Sequence, residues 1–314
     1  MRILIYGAGV QGSIYGGVLA ESGHDVSFVA RGSRAAQLLG GGLVLRGALG
    51  DRTLRIRRPV VVGRLEGRLE PDDRFDLCIV TVRREQVEAI VPTLVASAIP
   101  LIAFMHNHAD GSQSLASRIG PERTVIAFPG AGGTIGPDGV VRYALVAEQP
   151  TMIGTLPRFD SGPRAFGNVL RASGLRITLV RDPDAWLRRH AVLVGALSGA
   201  LWLCGCDAAA LVRSRDGVPD FIRAVREGFR ALDAVRVAPA PIALRAIFSW
   251  VPLTFAIAYW RRYLTGPRGE VVFAAHARHA AGEMAQIAGE VSDVMRGSGV
   301  ATPVFDRLRK AIPT

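Results

Sequence analysis

The chain has 314 residues, 49% hydrophobic and 21% charged, a composition that fits packed globular domains and argues against a disordered chain. Its formal charge is +11, yet the arginines are scattered, with no basic block interleaved with aromatics and no zinc-finger spacing. Nucleic-acid binding is therefore set aside, and a phosphate-rich small ligand fits the charge better.

In chain order, residues 2–6 predict a short buried strand running into glycines, 11–22 a helix closed by Gly23, and 25–30 a second strand. Segments near 43–48 and 53–58 predict a two-stranded excursion. The continuous apolar runs 76–82 and 100–105 read as parallel strands covered on both faces. Helices are predicted at 84–97 and 111–119. A glycine-rich stretch at 128–139 precedes a predicted strand pair, 140–146 with 151–154, then a helix at 162–173 and a strand at 175–180. At Asp182-Pro183-Asp184 the pattern changes to a helix start, with a capping residue before proline. Helices follow at 184–205, 217–235, 240–263, 270–297 and 303–311. The fold class predicted is α/β, an N-terminal Rossmann-type doubly wound sheet in 1–181 followed by an all-α domain in 182–314. The apolar runs 191–204 and 247–260 fall short of the ~20 residues of a spanning helix. No integral membrane span is expected, and a surface contact by 247–263 stays open.

Gly7-Ala8-Gly9-Val10-Gln11-Gly12 stands between the first strand and the first helix. Gly7 permits a tight turn, Gly9 lets backbone approach a pyrophosphate, and Gly12 lets the helix pack close to the strand. The helix start then faces phosphate charge with its unpaired N–H groups. Where NAD enzymes place an acid for the ribose 2′-hydroxyl, this chain reads Ala30-Arg31-Gly32-Ser33-Arg34. Arg31, Ser33 and Arg34 suit a 2′-phosphate, so NADP is the cofactor expected.

Of the 38 basic residues only Lys310, near the C-terminal end of the sequence, is lysine, so no lysine in the body of the chain is available as an acid or Schiff base. Cys78, Cys204 and Cys206 are too few for a disulfide framework and read as buried thiols of a reducing cytoplasm; no metal site is expected.

These motifs, in this order, resemble the ketopantoate reductase family, with its 6-phosphogluconate dehydrogenase-like helical second domain. The likeness runs through G-A-G-V-Q-G, Arg31, T-V-R-R-E-Q at 81–86, H-N-H at 106–108, the glycines of 128–136 and V-V-R at 140–142. It continues through Trp186-Leu187-Arg188, Glu283, Gly289 and T-P-V-F-D-R-L at 302–308. The resemblance implies a reductase of 2-oxo acids that uses NADPH. It places Arg83 where the family has a lysine near the cofactor, and Asn107 near nicotinamide and substrate. It makes Glu283 a substrate contact and puts Arg188 where the family has its catalytic lysine. The family's two asparagines one and two turns beyond that lysine read Val192 and Ala196 here. A substrate less polar than ketopantoate is the consequence expected. Arginine is a poor proton donor, which leaves Glu283 or one of His106, His108, His190, His276 and His279 for that task. Two readings stand: an NADPH-dependent reductase of a small carbonyl compound, and a non-catalytic NADP-binding sensor. A homodimer is compatible with both.

Overall fold

The computed structural model describes residues 1–48, 52–57, 59–62, 74–106, 113–146, 148–155, 159–239 and 241–313. They cluster into two compact units, one within Met1–Pro183 and the other within Asp184–Thr314.

In the first unit, the Ile-Leu-Ile run of β1 (Arg2–Tyr6) is fully buried. It leads through the glycines into α1 (Val10–Glu21), then β2 (Asp25–Val29) and α2 (Gly32–Gly41). Next come β3 (Leu43–Gly47), β4 (Thr53–Ile56), β5 (Val60–Val62) and β6 (Leu77–Val80). A 3-10 turn at Arg84–Gln86 opens α3 (Val87–Ala96), followed by β7 (Ile102–Met105), α4 (Gln113–Ile119) and β8 (Thr124–Phe128). The unit closes with β9 (Ala131–Ile135), β10 (Val141–Leu145), β11 (Thr151–Gly154), α5 (Ser161–Ala172) and β12 (Ile177–Val180).

The main sheet runs β12-β11-β8-β7-β6-β1-β2-β5. Its strands from β5 to β8 are all parallel, as continuous apolar runs demand, and β11 joins β8 antiparallel. This is the Rossmann-type arrangement, with the chain order reversing at β1, between β2 and β6.

A second sheet, β4-β3-β10-β9, holds the predicted excursion. It also corrects the strand pair expected at 140–146 and 151–154: β10 pairs with β9 and β3, whereas β11 belongs to the main sheet. The glycine-rich stretch itself supplies β9, because its small residues let the backbone of β10 come close; a Cβ on Gly133 would overlap Arg142. α1 is held between the two sheets. A Cβ on Gly16 would strike Phe28 of β2, and one on Gly17 would strike Leu45 of β3.

In the second unit every regular element among the described residues is helical. These are α6 (Pro183–Leu203), α7 (Ala208–Arg213), α8 (Gly217–Ala234), α9 (Ile242–Arg245), α10 (Leu253–Leu264), α11 (Ala275–His279), α12 (Ala281–Arg296) and α13 (Pro303–Lys310). Two helices expected as continuous are broken. The 240–263 stretch ends a π-helical turn, Ala246–Trp250, before Pro252, whose ring removes a donor and restarts the helix as α10. The 270–297 stretch begins with a π-helical turn at Gly269–Ala274 and breaks again at Ala280. The core gathers Phe221, Phe229, Phe248 and Trp260 into edge-to-face contacts. Trp250, Phe255 and Tyr259 of the same apolar stretch are exposed. Among the described residues no helix is long and apolar enough to cross a membrane.

Candidate functional site

The glycine loop lies at the carboxyl end of β1, where the strand order reverses, the position at which open α/β sheets bind ligands. Gly7 has φ +106°, a conformation only glycine adopts without strain. A Cβ on Gly12 would overlap Gly7 O and Thr81 Oγ1, so the helix packs on the loop only with glycine there. Gly9, the residue preceding the first helical turn of α1, faces open space; nothing lies within 4 Å of a Cβ built on it. Its carbonyl accepts from Ser13 N, while the first N–H groups of the helix have no acceptor within it. The loop is therefore a rigid turn with an open face lined by backbone donors.

Side chains hold this turn from behind. Thr81, just after β6, donates its hydroxyl to Gly7 O at 2.7 Å. Gln11 donates its amide to Ala131 O at 2.8 Å. Arg34 donates to Ala8 O at 2.9 Å, to Ser13 Oγ at 2.8 Å, and to Gln37 Oε1 and Gly139 O at 3.1 Å each. Burial holds its guanidinium below the usual arginine range. Four of its five N–H groups thus face protein acceptors. The sequence expectation grouped Arg34 with Arg31 and Ser33 as outward donors, but the structure separates them: Arg31 and Ser33 are exposed at the start of α2, and Arg34 is a brace. Arg83 is exposed one residue before the 3-10 turn that starts α3. Ser13 and Thr81 are the supports the motif alone does not reveal, although Thr81 lies in the T-V-R-R-E-Q segment.

His106, at the end of β7, is buried and meets Phe104 edge to face. Asn107 and His108 lie outside the described residues.

In the helical unit, Arg188 is half-buried on α6, and Val192 and Ala196, one and two turns on, are fully buried. Val192 fills the space beside Gly228 of α8. Its position is a packing position, and an amide there would enter the core. Arg189, adjacent to Arg188, is 2% exposed and ties α6 to α8 and the chain after it. It donates to Phe229 O at 2.9 Å, Val237 O at 2.7 Å, Ala238 O at 3.2 Å and Asp233 Oδ1 at 2.6 Å. His190 is buried and stacked on Trp186, with ring centroids 4.9 Å apart. Burial, and then the neighbouring His276, bring its pKa down to about 3. Glu283 is half-buried in the first turn of α12, which packs against α6 where Gly195 meets Ala288. His279 holds Ala275 O through Nδ1 at 2.7 Å. Among the described residues no group of histidine, cysteine and carboxylate side chains could hold a metal ion.

Comparison with known proteins gives these features a frame. Residues 3–158 match the family model described as Ketopantoate reductase PanE/ApbA. A 2-dehydropantoate 2-reductase of Archaeoglobus fulgidus is 26% identical over 214 residues, 68% of this chain and 67% of that protein. Among solved structures, D-mandelate dehydrogenase in a ternary structure with NADH and anilino(oxo)acetate has a TM-score of 0.74 at 19% identity, covering 99% of this chain and 97% of the other. A PanE/ApbA family ketopantoate reductase from Ralstonia eutropha gives 0.73 at 19% identity, with the same coverage. At that identity the two structures establish a common fold.

Proposed function

We propose, for a chain that belongs to the ketopantoate reductase family, with residues 3–158 matching its model, that it is an NADPH-dependent oxidoreductase reducing a 2-oxo acid or a related carbonyl compound. The observation that carries this reading is the open, backbone-lined glycine loop, followed at the end of β2 by exposed Arg31 and Ser33, with no Asp or Glu in the sequence from 26 to 42.

The residues present fit a dinucleotide. Backbone N–H groups of Ala8, Gly9, Val10, Gln11 and Gly12 would hold the pyrophosphate, while Gly7, whose N–H donates to Val29 O, shapes the turn. Arg31 and Ser33 would hold a 2′-phosphate, and Arg83 would flank it, while Arg34 keeps the loop in shape. When bound, the nicotinamide supplies the hydride for the carbonyl carbon. Arg188 would hold the substrate carboxylate or stabilise the developing oxyanion, a role its fixed charge suits. Asn107 would hydrogen-bond the reacting carbonyl, as the family resemblance implies. The proton is assigned to Glu283. His190, with a pKa of about 3, is neutral at pH 7 and has no proton to give readily.

The buried Val192 and Ala196 support a substrate less polar than ketopantoate, since no amide stands there to grip a hydroxyl. The same two residues favour the second reading, an NADP-binding sensor without turnover. A fluorescence titration with NADPH and NADH, followed by a panel of alkyl and aryl 2-oxo acids, tests both. Tighter binding of NADPH, a preference reduced about tenfold in Arg31→Gln by loss of one charge-assisted contact, and oxidation by one panel member would support the reductase. Binding with no turnover of any member would favour the sensor. Failure to bind either nucleotide would overturn both.

A further inference from the structure

We infer that the helical unit carries a second anion-binding site, lined by Arg223, Arg226, Arg230, Phe248 and Ser249, that takes a compact polyanion such as a phosphate ester or a polycarboxylate. None of these residues belongs to the site proposed above. The three arginines fall at i, i+3 and i+7 on α8 and so share one face. The opposite face, with Val218, Phe221, Ile222 and Val225, is buried in the core. The π-helical turn at Ala246–Trp250 brings Phe248 and Ser249 against this arginine face and forms an open pocket of about 350 Å³, within the size range of small-molecule sites. Phe248 is locked by its ring contacts with Phe221, Phe229 and Trp260, so the floor is rigid.

The charges do not balance within the cavity. Its one lining carboxylate, Glu227, accepts the backbone N–H groups of Val304 and Phe305 at 2.9 and 3.0 Å and is committed to the start of α13. Arg223 shares Asp220 with Arg307, at 3.0 and 2.6 Å. Arg230 is exposed and has no ion pair among the described residues. Arg226 is pinned by donating to Val251 O at 2.6 Å, and its Nε is buried without an acceptor among the described residues. Burial, and then the nearby charge of Arg230, hold its guanidinium below the usual arginine range. Three guanidinium groups of like charge on one helix face, one of them held in place by Val251 O and one without an ion pair among the described residues, are relieved by an anion that accepts from their remaining N–H groups.

The test is calorimetric titration of the full-length protein with inorganic pyrophosphate at constant ionic strength, with citrate as the polycarboxylate arm. Three proteins are compared: wild type, Arg223→Gln/Arg230→Gln, and Arg31→Gln. The double variant leaves Arg226 and its anchor intact, and an unchanged melting temperature verifies that it folds. We expect saturable binding of pyrophosphate or citrate, weakened at least tenfold in the double variant and retained in Arg31→Gln. Equal binding by the double variant, loss of all binding in Arg31→Gln, or no saturable heat in the wild type would overturn the proposal.

Discussion

The glycine loop and the helical unit would hold ligands with different materials. In the loop, the donors are backbone N–H groups, fixed by the φ of Gly7 and by the contact of Gly12 with Gly7 O and Thr81, and the side chains nearby are braces. In the helical unit, everything offered to a ligand is a side chain, and adjacent residues divide the work: Arg188 is half-buried, while Arg189 is sunk among carbonyls. A backbone site fails all at once when its geometry is lost. A side-chain site can lose one group and keep the rest, which is how Val192 and Ala196 can stand where the family has amides.

The sharpest way to break this comparison is at Gly12. Gly12→Val should abolish nucleotide binding, by more than ~100-fold, because the added carbons overlap the loop carbonyl that shapes the turn. Gly9→Ala is the control: its Cβ meets nothing in the protein, so the melting temperature should hold while nucleotide affinity falls. Normal affinity in Gly12→Val would mean that the loop is not the binding surface.

A smaller effect is expected at the paired arginines. Arg189→Met removes four hydrogen bonds and the guanidinium over the Phe229 ring, leaving three main-chain carbonyls short of a donor. Asp233 is 60% exposed and returns to water, so the loss should be about 3 kcal/mol by urea unfolding, below that of a fully buried pair. Arg188→Met should cost under ~1 kcal/mol of stability, as partly exposed sites do, and should lower kcat sharply if the proposed reductase reading holds. Reversed outcomes would exchange the roles of the two residues.

How far these roles were legible follows the same division. The glycine spacing reveals the loop because backbone geometry admits one residue type at Gly7 and Gly12. The fate of Arg34 was not legible, since it depends on Gly139, 105 positions away, which only the second sheet brings near. The strands at 140–146 and 151–154 were visible from apolar content, but a strand pattern does not name its partner, and β10 finds β3 from the far side of the main sheet sequence. Pro252 marks the break before α10; the break at Ala280 has neither proline nor glycine at the position and leaves no mark. Arg188, Val192 and Ala196 share a face in sequence, yet only packing against Gly228 shows that Val192 is core.

The last effect is one of pH, and it sharpens the contrast because it should arise in the helical unit. His190 is buried against Trp186 with a pKa of about 3, whereas an unfolded histidine titrates near 6.5. Between these values the unfolded chain binds a proton that the folded chain does not, so stability is full above about pH 6.5 and falls as the pH drops toward 3. The slope contributed by one such group is at most about 1.4 kcal/mol per pH unit. Burial is the larger cause and His276 the smaller, so His190→Phe, which keeps a ring against Trp186, should remove most of this slope, and His276→Gln only part of it. Urea unfolding at pH 7, 5.5 and 4.5 would show the wild type losing stability faster than His190→Phe. Parallel losses would mean that His190 takes up its proton in the folded protein, and the reason for assigning the catalytic proton to Glu283 rather than to this histidine would go with it.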